Sequence, residues 1–159
     1  MLSSSRLART VVDALLGPPG EGRFLAVLKA CRDAPHEVVI DALRRAAAHL
    51  PADAGWYLLA LEVDRIAHDE IIAGVAPSEL VTVWRDISAL LGENDMDEEA
   101  VRRLPRWAEL NSLYDELSDQ HQAAVMRRYG LEDMAHLYLT DPEEWDARST
   151  RGREAFLAE

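Results

Sequence analysis

Apolar side chains return every three to four residues along almost all of this chain, the spacing of an α-helix with one face turned to a core. Leu7, Val11, Ala14 and Leu15 begin the first series, and Gly17-Pro18-Pro19-Gly20 stops it. A second helix is predicted from Glu21 to Arg32, ending before Pro35. A third runs from His36 to Leu50 on the stripe Val39, Ala42, Leu43, Ala46 and Leu50, and Pro51 closes it. The fourth, from Gly55 to Ala73, has the widest apolar face: Trp56, Leu59, Val63, Ile66 and Ile71, flanked by Leu58, Leu61 and Ile72. A stripe that broad predicts a central helix contacted on several sides, with Gly74 as its stop.

The fifth helix opens at Pro77-Ser78-Glu79 and keeps a clean period through Leu80, Val83, Trp84, Ile87 and Leu90 to Leu91. Gly92 then stands where a left-handed residue would end it. After an acidic stretch, a short helix reaches Leu104. From Pro105 the stripe Trp107, Leu110, Leu113, Tyr114, Leu117, His121, Val125 and Tyr129 continues to Gly130, as one long helix or as two meeting near Ser118-Asp119. Leu131 to Leu139 forms another short helix. Thr140-Asp141-Pro142-Glu143-Glu144 is a helix start, with a capping side chain, proline in the first turn and acids at the positive end of the dipole. The last helix carries Trp145 and Phe156.

No segment alternates with a period of two. The expected fold is therefore all-α: a single irregular bundle of about eight helices over residues 1–159, with short connections that favour antiparallel neighbours. Ala34-Pro35-His36-Glu37-Val38-Val39 is echoed 42 residues later by Ala76-Pro77-Ser78-Glu79-Leu80-Val81, a spacing found in helical-pair (HEAT-like) repeats. There is no third copy near residue 119, and helix-start preferences are generic.

Charge changes the picture more than composition does. The net charge is −12 over 159 residues, and it is unevenly divided. Residues 1–50 carry seven basic and five acidic side chains, a net of +2; residues 51–159 carry ten and twenty-four, a net of −14. A surface that anionic repels a phosphate backbone, so nucleic acid is not the expected partner. The pairs Arg44-Arg45, Arg102-Arg103 and Arg127-Arg128 lie towards helix C-termini, where the dipole favours cations. Sixteen arginines against one lysine, Lys29, read as the coding bias of a GC-rich bacterium. A lone Cys31 on an apolar series reads as a packed core thiol. The longest apolar run, Trp56 to Leu61, is too short to span a membrane. Together these point to a cytoplasmic protein. The N-terminal residues read as the start of the first helix, with Ser3-Ser4-Ser5 frayed.

Candidate chemistry is sparse. The stretch 93–99 lacks the glycine and the bidentate glutamate of a calcium loop, so Asp95 or Asp97 is expected to cap the next helix, with Glu98 and Glu99 complementing its dipole. Asp64 with His68, and Glu132 with His136, have i, i+4 spacing and read as solvated pairs. His121 on an apolar stripe reads as a boundary or interior residue. No phosphate loop, nucleophile elbow or Cys-x-x-Cys appears, so no catalytic residue, metal ligand or cofactor is assigned.

An enzyme is accordingly the least supported class. The leading expectation is a non-enzymatic protein–protein interaction module of the immunity, antitoxin or adaptor type. Its acidic surface would meet a basic protein partner, with no role for nucleic acid or a membrane. That surface is expected to comprise Glu93, Asp95, Asp97, Glu98 and Glu99 together with Glu109, Asp115, Glu116 and Asp119. Positions 109, 112, 116 and 119 share one face of their helix, so these acids are expected to line up as a stripe beside the acidic turn. The alternative is a helical sensor domain that binds a small ligand or metal in the bundle interior, in a pocket lined by Trp and Met.

Overall fold

The computed structural model describes residues 3–17 and 21–157, apart from the side chains of Glu21 and Phe156. Among the described residues every regular element is helical: α1 (Ser4–Leu15), α2 (Glu21–Cys31), α3 (His36–Ala47), α4 (Ala52–Ile72), α5 (Ser78–Glu93), α6 (Glu98–Arg102), α7 (Pro105–Arg128), α8 (Glu132–Thr140) and α9 (Pro142–Leu157). The fold is all-α, as the periodicity predicts, and 105–128 is one helix. Pro18, Pro19 and Gly20 of the first predicted stop, and the Phe156 side chain, lie outside the described residues.

Most boundaries follow the punctuation. Gly74 and Gly130 adopt positive φ, 77° and 74°, at the two places where a helix must end in a left-handed residue. Gly92 does not: α5 continues through it, and the left-handed positions are Asp95 and Met96, at φ 54° and 61°. The Asn94 side chain donates to the Leu90 carbonyl at 2.8 Å, and the Met96 amide closes on the Leu91 carbonyl at 2.7 Å. These bonds satisfy the last carbonyls of α5 without a glycine. At the N-terminus, Ser3 accepts from the Arg6 amide at 3.3 Å and Ser5 Oγ accepts from Arg45. The serine triplet is therefore a capped helix start rather than a frayed end. Pro35 and Pro77 each precede a helix, without a side-chain cap in either case. The echo between them receives no further support, since α4 has 21 residues and its counterpart α6 has 5.

The chain divides into two compact units, and the division falls inside α4. The first comprises residues 1–63 and 140–159. In it α1 packs against α2 and α3, and α2 packs against α9. Leu7, Val11, Val39 and Ala42 are almost wholly buried there, matching the predicted stripes, and Val27 of α2 is buried with them. Cys31 is buried too. Two glycines let helices approach closely. A Cβ on Gly55 would lie 2.7 Å from the Ala47 Cβ, and one on Gly152 would lie 2.5 Å from both the Asp53 carbonyl oxygen and the Tyr57 Cβ. The contact of α9 with α4 is completed by Trp145 edge-on to Trp56, at 4.7 Å between centroids, and by the Arg148 guanidinium 4.8 Å over the Trp56 ring.

The second unit is residues 64–139, in which α5, α6 and α7 pack against one another. Its core includes Ile71, Ala76, Leu80 and Val81, with Trp84, Tyr114 and Leu117 packed against it. Towards its C-terminus α7 is anchored by buried His121, Ala123, Val125 and Met126. From Pro105 to Gln120 the same helix has no buried side chain.

Candidate functional site

All nine acids singled out by sequence belong to the second unit, and all nine are exposed. The turn after α5 positions the first group. Left-handed Asp95 and Met96 reverse the chain, and Asp97 Oδ1 accepts from the Glu99 and Ala100 amides at 3.1 and 3.3 Å, capping α6. Of the two residues expected to cap, Asp97 does so. Glu98 pairs with Arg102 one turn on, at 3.4 Å with both ends well exposed, a contact worth a few tenths of a kcal/mol. Glu93 closes α5. Within the segment 93–106, Arg102, Arg103 and Arg106 moderate the acidic field.

The second group lies on α7. Trp107, Leu110, Tyr114 and Leu117 form its half-buried stripe, and Tyr114 and Leu117 rest on the core at the start of α5. Glu109 and Glu116 lie on the opposite side, exposed and without an ion pair or hydrogen bond to any described residue. Asp115 and Asp119 stand on the flank between the two. Asp119 is not free: its Oδ1 accepts from the Tyr138 hydroxyl at 2.5 Å. The Tyr138 oxygen lies 3.4 Å from Gln122 Oε1.

That flank gathers charge which sequence reasoning missed. The Tyr138 hydroxyl ionises well above the ordinary tyrosine range, because burial disfavours the phenolate and the Asp119, Asp64 and Asp115 carboxylates oppose it. Tyr114 is raised for the same kind of reason, by burial and then by Asp64 and Asp115. Carboxylates of α4 and α7 thus oppose ionisation of two tyrosines, and one of them, Asp119, is in direct contact with Tyr138. The i, i+4 spacing of Asp115 and Asp119 was visible in sequence. Their meeting with Asp64 and Tyr138 depends on tertiary packing and left no periodic signal.

A second cluster in the same unit was also missed. Arg128 holds Glu70 in a bidentate pair, Nη1 to Oε2 at 2.7 Å and Nη2 to Oε1 at 3.1 Å. Behind it lies His121, its side chain only 4% exposed, with Nε2 3.2 Å from Glu70 Oε1. The Nε2 atom is buried and lacks a well-aligned hydrogen bond. Burial holds the imidazole below its usual pKa of 6.5; Glu70 opposes that shift and Arg128 adds to it. His121 is thus an interior residue, as its stripe position predicted.

In the first unit, several charges are tied to one another across or along helices. His36 Nδ1 donates to buried Glu62 at 2.9 Å, joining the start of α3 to the middle of α4. Asp53 accepts from Arg148 and Arg151, each at 3.1 Å, and Arg151 reaches Glu144 at 2.9 Å. The hydrogen bond from Arg151, assisted by that from Arg148, holds the Asp53 carboxyl below the usual carboxylate range.

The i, i+4 pairs Asp64/His68 and Glu132/His136 are all exposed, and Glu132 approaches Arg127 at 3.9 Å. Among the described residues no three His, Cys, Asp or Glu side chains converge as a metal-binding group. Among the described residues no helix is long and apolar enough to cross a membrane. Arg44, Arg45, Arg102, Arg127 and Arg128 do occupy last helical turns. Trp56 is buried, and Trp84, Trp107 and Trp145 are half-buried. In comparisons with known proteins, the chain matches no family model, no curated protein and no solved structure.

Proposed function

We propose that the protein is a non-enzymatic interaction module whose acidic second unit binds a protein partner with a basic surface. One observation carries this reading. Over sixteen residues α7 keeps only a half-buried stripe and turns Glu109 and Glu116 to solvent with no counter-ion. A helix held on one side and unneutralised on the other fits electrostatic capture, in which like charges along the face are relieved as a basic surface docks. The acidic turn at 93–99 and the cap of α6 extend the same charge. Within this surface Asp97 and Asp119 have structural duties, so the residues proposed to meet the partner are Glu93, Asp95, Glu98, Glu99, Glu109, Asp115 and Glu116. A cytoplasmic setting belongs to the same proposal.

The test is kinetic. The partner is first identified by affinity capture from the native host. Association is then followed by stopped flow for the wild type and for Glu109→Lys/Glu116→Lys. The wild-type on-rate should fall steeply as salt rises, and the double variant should associate about tenfold more slowly with its circular dichroism unchanged. Equal on-rates for the two proteins would exclude the α7 face from recognition.

A further inference from the structure

We infer that a groove between α1 and α3, in the first unit, binds a small amphipathic carboxylate. The groove consists of two neighbouring depressions, of about 300 and 430 Å³, that share Val12 and His49 along their walls. Their combined size falls within the range of small-molecule sites. Ser5, Arg9, Arg45 and His49 line one end. Leu15, Leu16, Leu50, Pro51 and Ala54 line the other. Among the described residues no acidic side chain lines either depression, although the chain as a whole carries −12.

The polar end has unused capacity. Arg45 is partly engaged, by Asp41 at 3.1 Å and by Ser5 Oγ. The side chains of Arg9 and His49 make no hydrogen bond or ion pair with any described residue. A guanidinium presents a planar fork that matches a carboxylate, so Arg9 with Arg45 suits a carboxylate head. The apolar end has the complementary deficit. Leu16 is 80% exposed at the rim, beside buried Leu15 and Ala54. An aliphatic tail lying from Val12 towards Leu50 would cover it. Arg23 also reaches this end, but both its terminal nitrogens donate to backbone carbonyls, of Leu15 at 3.3 Å and Ala155 at 2.9 Å. It is a wall of the groove, and the carboxylate belongs at Arg9. This site is independent of the acidic face of α7 and stands or falls separately from it.

The experiment is calorimetric titration of the full chain with octanoate below its micellar range, beside acetate and 1-octanol. Octanoate should bind one-to-one and at least about tenfold more tightly than either control, because each lacks half of the recognised chemistry. Decanoate should bind about fourfold more tightly than octanoate, half the full transfer value for two methylenes because the groove is open on one side. Arg9→Gln/Arg45→Gln should weaken octanoate about tenfold and leave 1-octanol unchanged. Leu16→Asp, at an exposed position, should weaken octanoate and decanoate alike. Thermal melts identify any variant that has lost its fold, and Leu16→Asp together with the ligand series keeps the test decisive if the double arginine variant is one of them. Binding of acetate as tight as octanoate, or full octanoate affinity in a folded double variant, overturns the inference. So does sedimentation with phosphatidylglycerol vesicles that octanoate does not displace, since the basic end would then serve a membrane surface.

Discussion

The two units differ less in size than in what they do with charge. Over its sequence range the first carries ten basic and thirteen acidic side chains, a net of −3; the second carries seven and sixteen, a net of −9. In the first unit, Asp53 closes on Arg148 and Arg151 and His36 on Glu62 across helices, and Arg151 also pairs with Glu144 within α9. In the second, one tight cross-helix pair joins Glu70 to Arg128, while the acids of α7 either oppose ionisation of two tyrosines or face solvent. Neutralised charge locks helices in register. Unneutralised charge weakens the fold slightly and leaves a surface ready to bind. The proposed recognition role rests on the second arrangement.

Backbone packing offers the largest test of that contrast. A methyl on Gly152 has nowhere to go between the Asp53 carbonyl and Tyr57, whereas one on Gly92 meets nothing within 4 Å. Gly152→Ala should destabilise by about 2 kcal/mol despite the better helix propensity of alanine. Gly92→Ala, also within a helix, should stabilise by about 0.5–1 kcal/mol. Urea unfolding followed by circular dichroism measures both. Equal and favourable effects would mean that α9 does not sit tightly on α4.

Breaking the pair in the second unit is next in size. Glu70→Gln removes the acceptor of a bidentate arginine and the nearest carboxylate to His121, and should cost about 1–2 kcal/mol after allowance for the partial exposure of Arg128. Asp53→Asn in the first unit acts in the same direction. Its wild-type contribution is present above pH 3.8 and is lost as pH falls through the lower native value, because the folded carboxyl binds its proton less readily. A midpoint for Glu70→Gln equal to wild type would show that the Arg128 pair is solvated in practice.

The helices themselves were legible because their information is periodic and local. The stripe Trp107 to Tyr129 left one helix or two open, and Asp97 was one of two candidates to cap α6; packing and the Asp97 hydrogen bonds decide both. The failures share a cause. Gly92 was read as a terminator on propensity alone, but side-chain and backbone bonds from Asn94 and Met96 ended α5 later. Charge was divided at residue 50 along the chain. Packing divides it differently, since α9 joins the first unit and carries Arg148 and Arg151 to Asp53. Linear charge counts cannot register a helix that returns from about 100 residues away. The same blindness hid Tyr138 against Asp119, and it also hid the cationic lining that α1 and α3 share. Each depends on which helix faces which.

Acidity sharpens the comparison through His121. The folded imidazole binds a proton less readily than the unfolded one, whose pKa is 6.5. The unfolded state therefore takes up more protons below pH 6.5, and stability falls as pH drops through that value towards the lower native one. His121→Met should flatten the fall in melting temperature between pH 7 and pH 5, relative to wild type. Tyr138 gives the opposite limit. Its raised pKa means that its contribution is present below pH 10 and is lost as pH rises beyond it, and Tyr138→Phe should remove that alkaline loss. Identical pH profiles for wild type and variants would show that neither group is linked to folding.

The smallest effect bears most directly on the proposed recognition surface. Glu109 and Glu116 are two turns apart on an exposed face, and neither supports the fold. Reversing both to lysine changes the charge of the second unit by four without touching a buried contact. Surface substitutions of this kind alter stability by less than about 0.5 kcal/mol, and here the sign should be favourable because the unit begins at −9. The gain should shrink as salt rises and fade near 1 M, where the screening length is about 3 Å. Urea midpoints at low and high salt measure it. Suppose instead that the double variant is destabilised by more than about 1 kcal/mol at every salt concentration. The two glutamates would then be holding α7 in place, and the contrast between a scaffold unit and an open acidic unit would not describe this molecule.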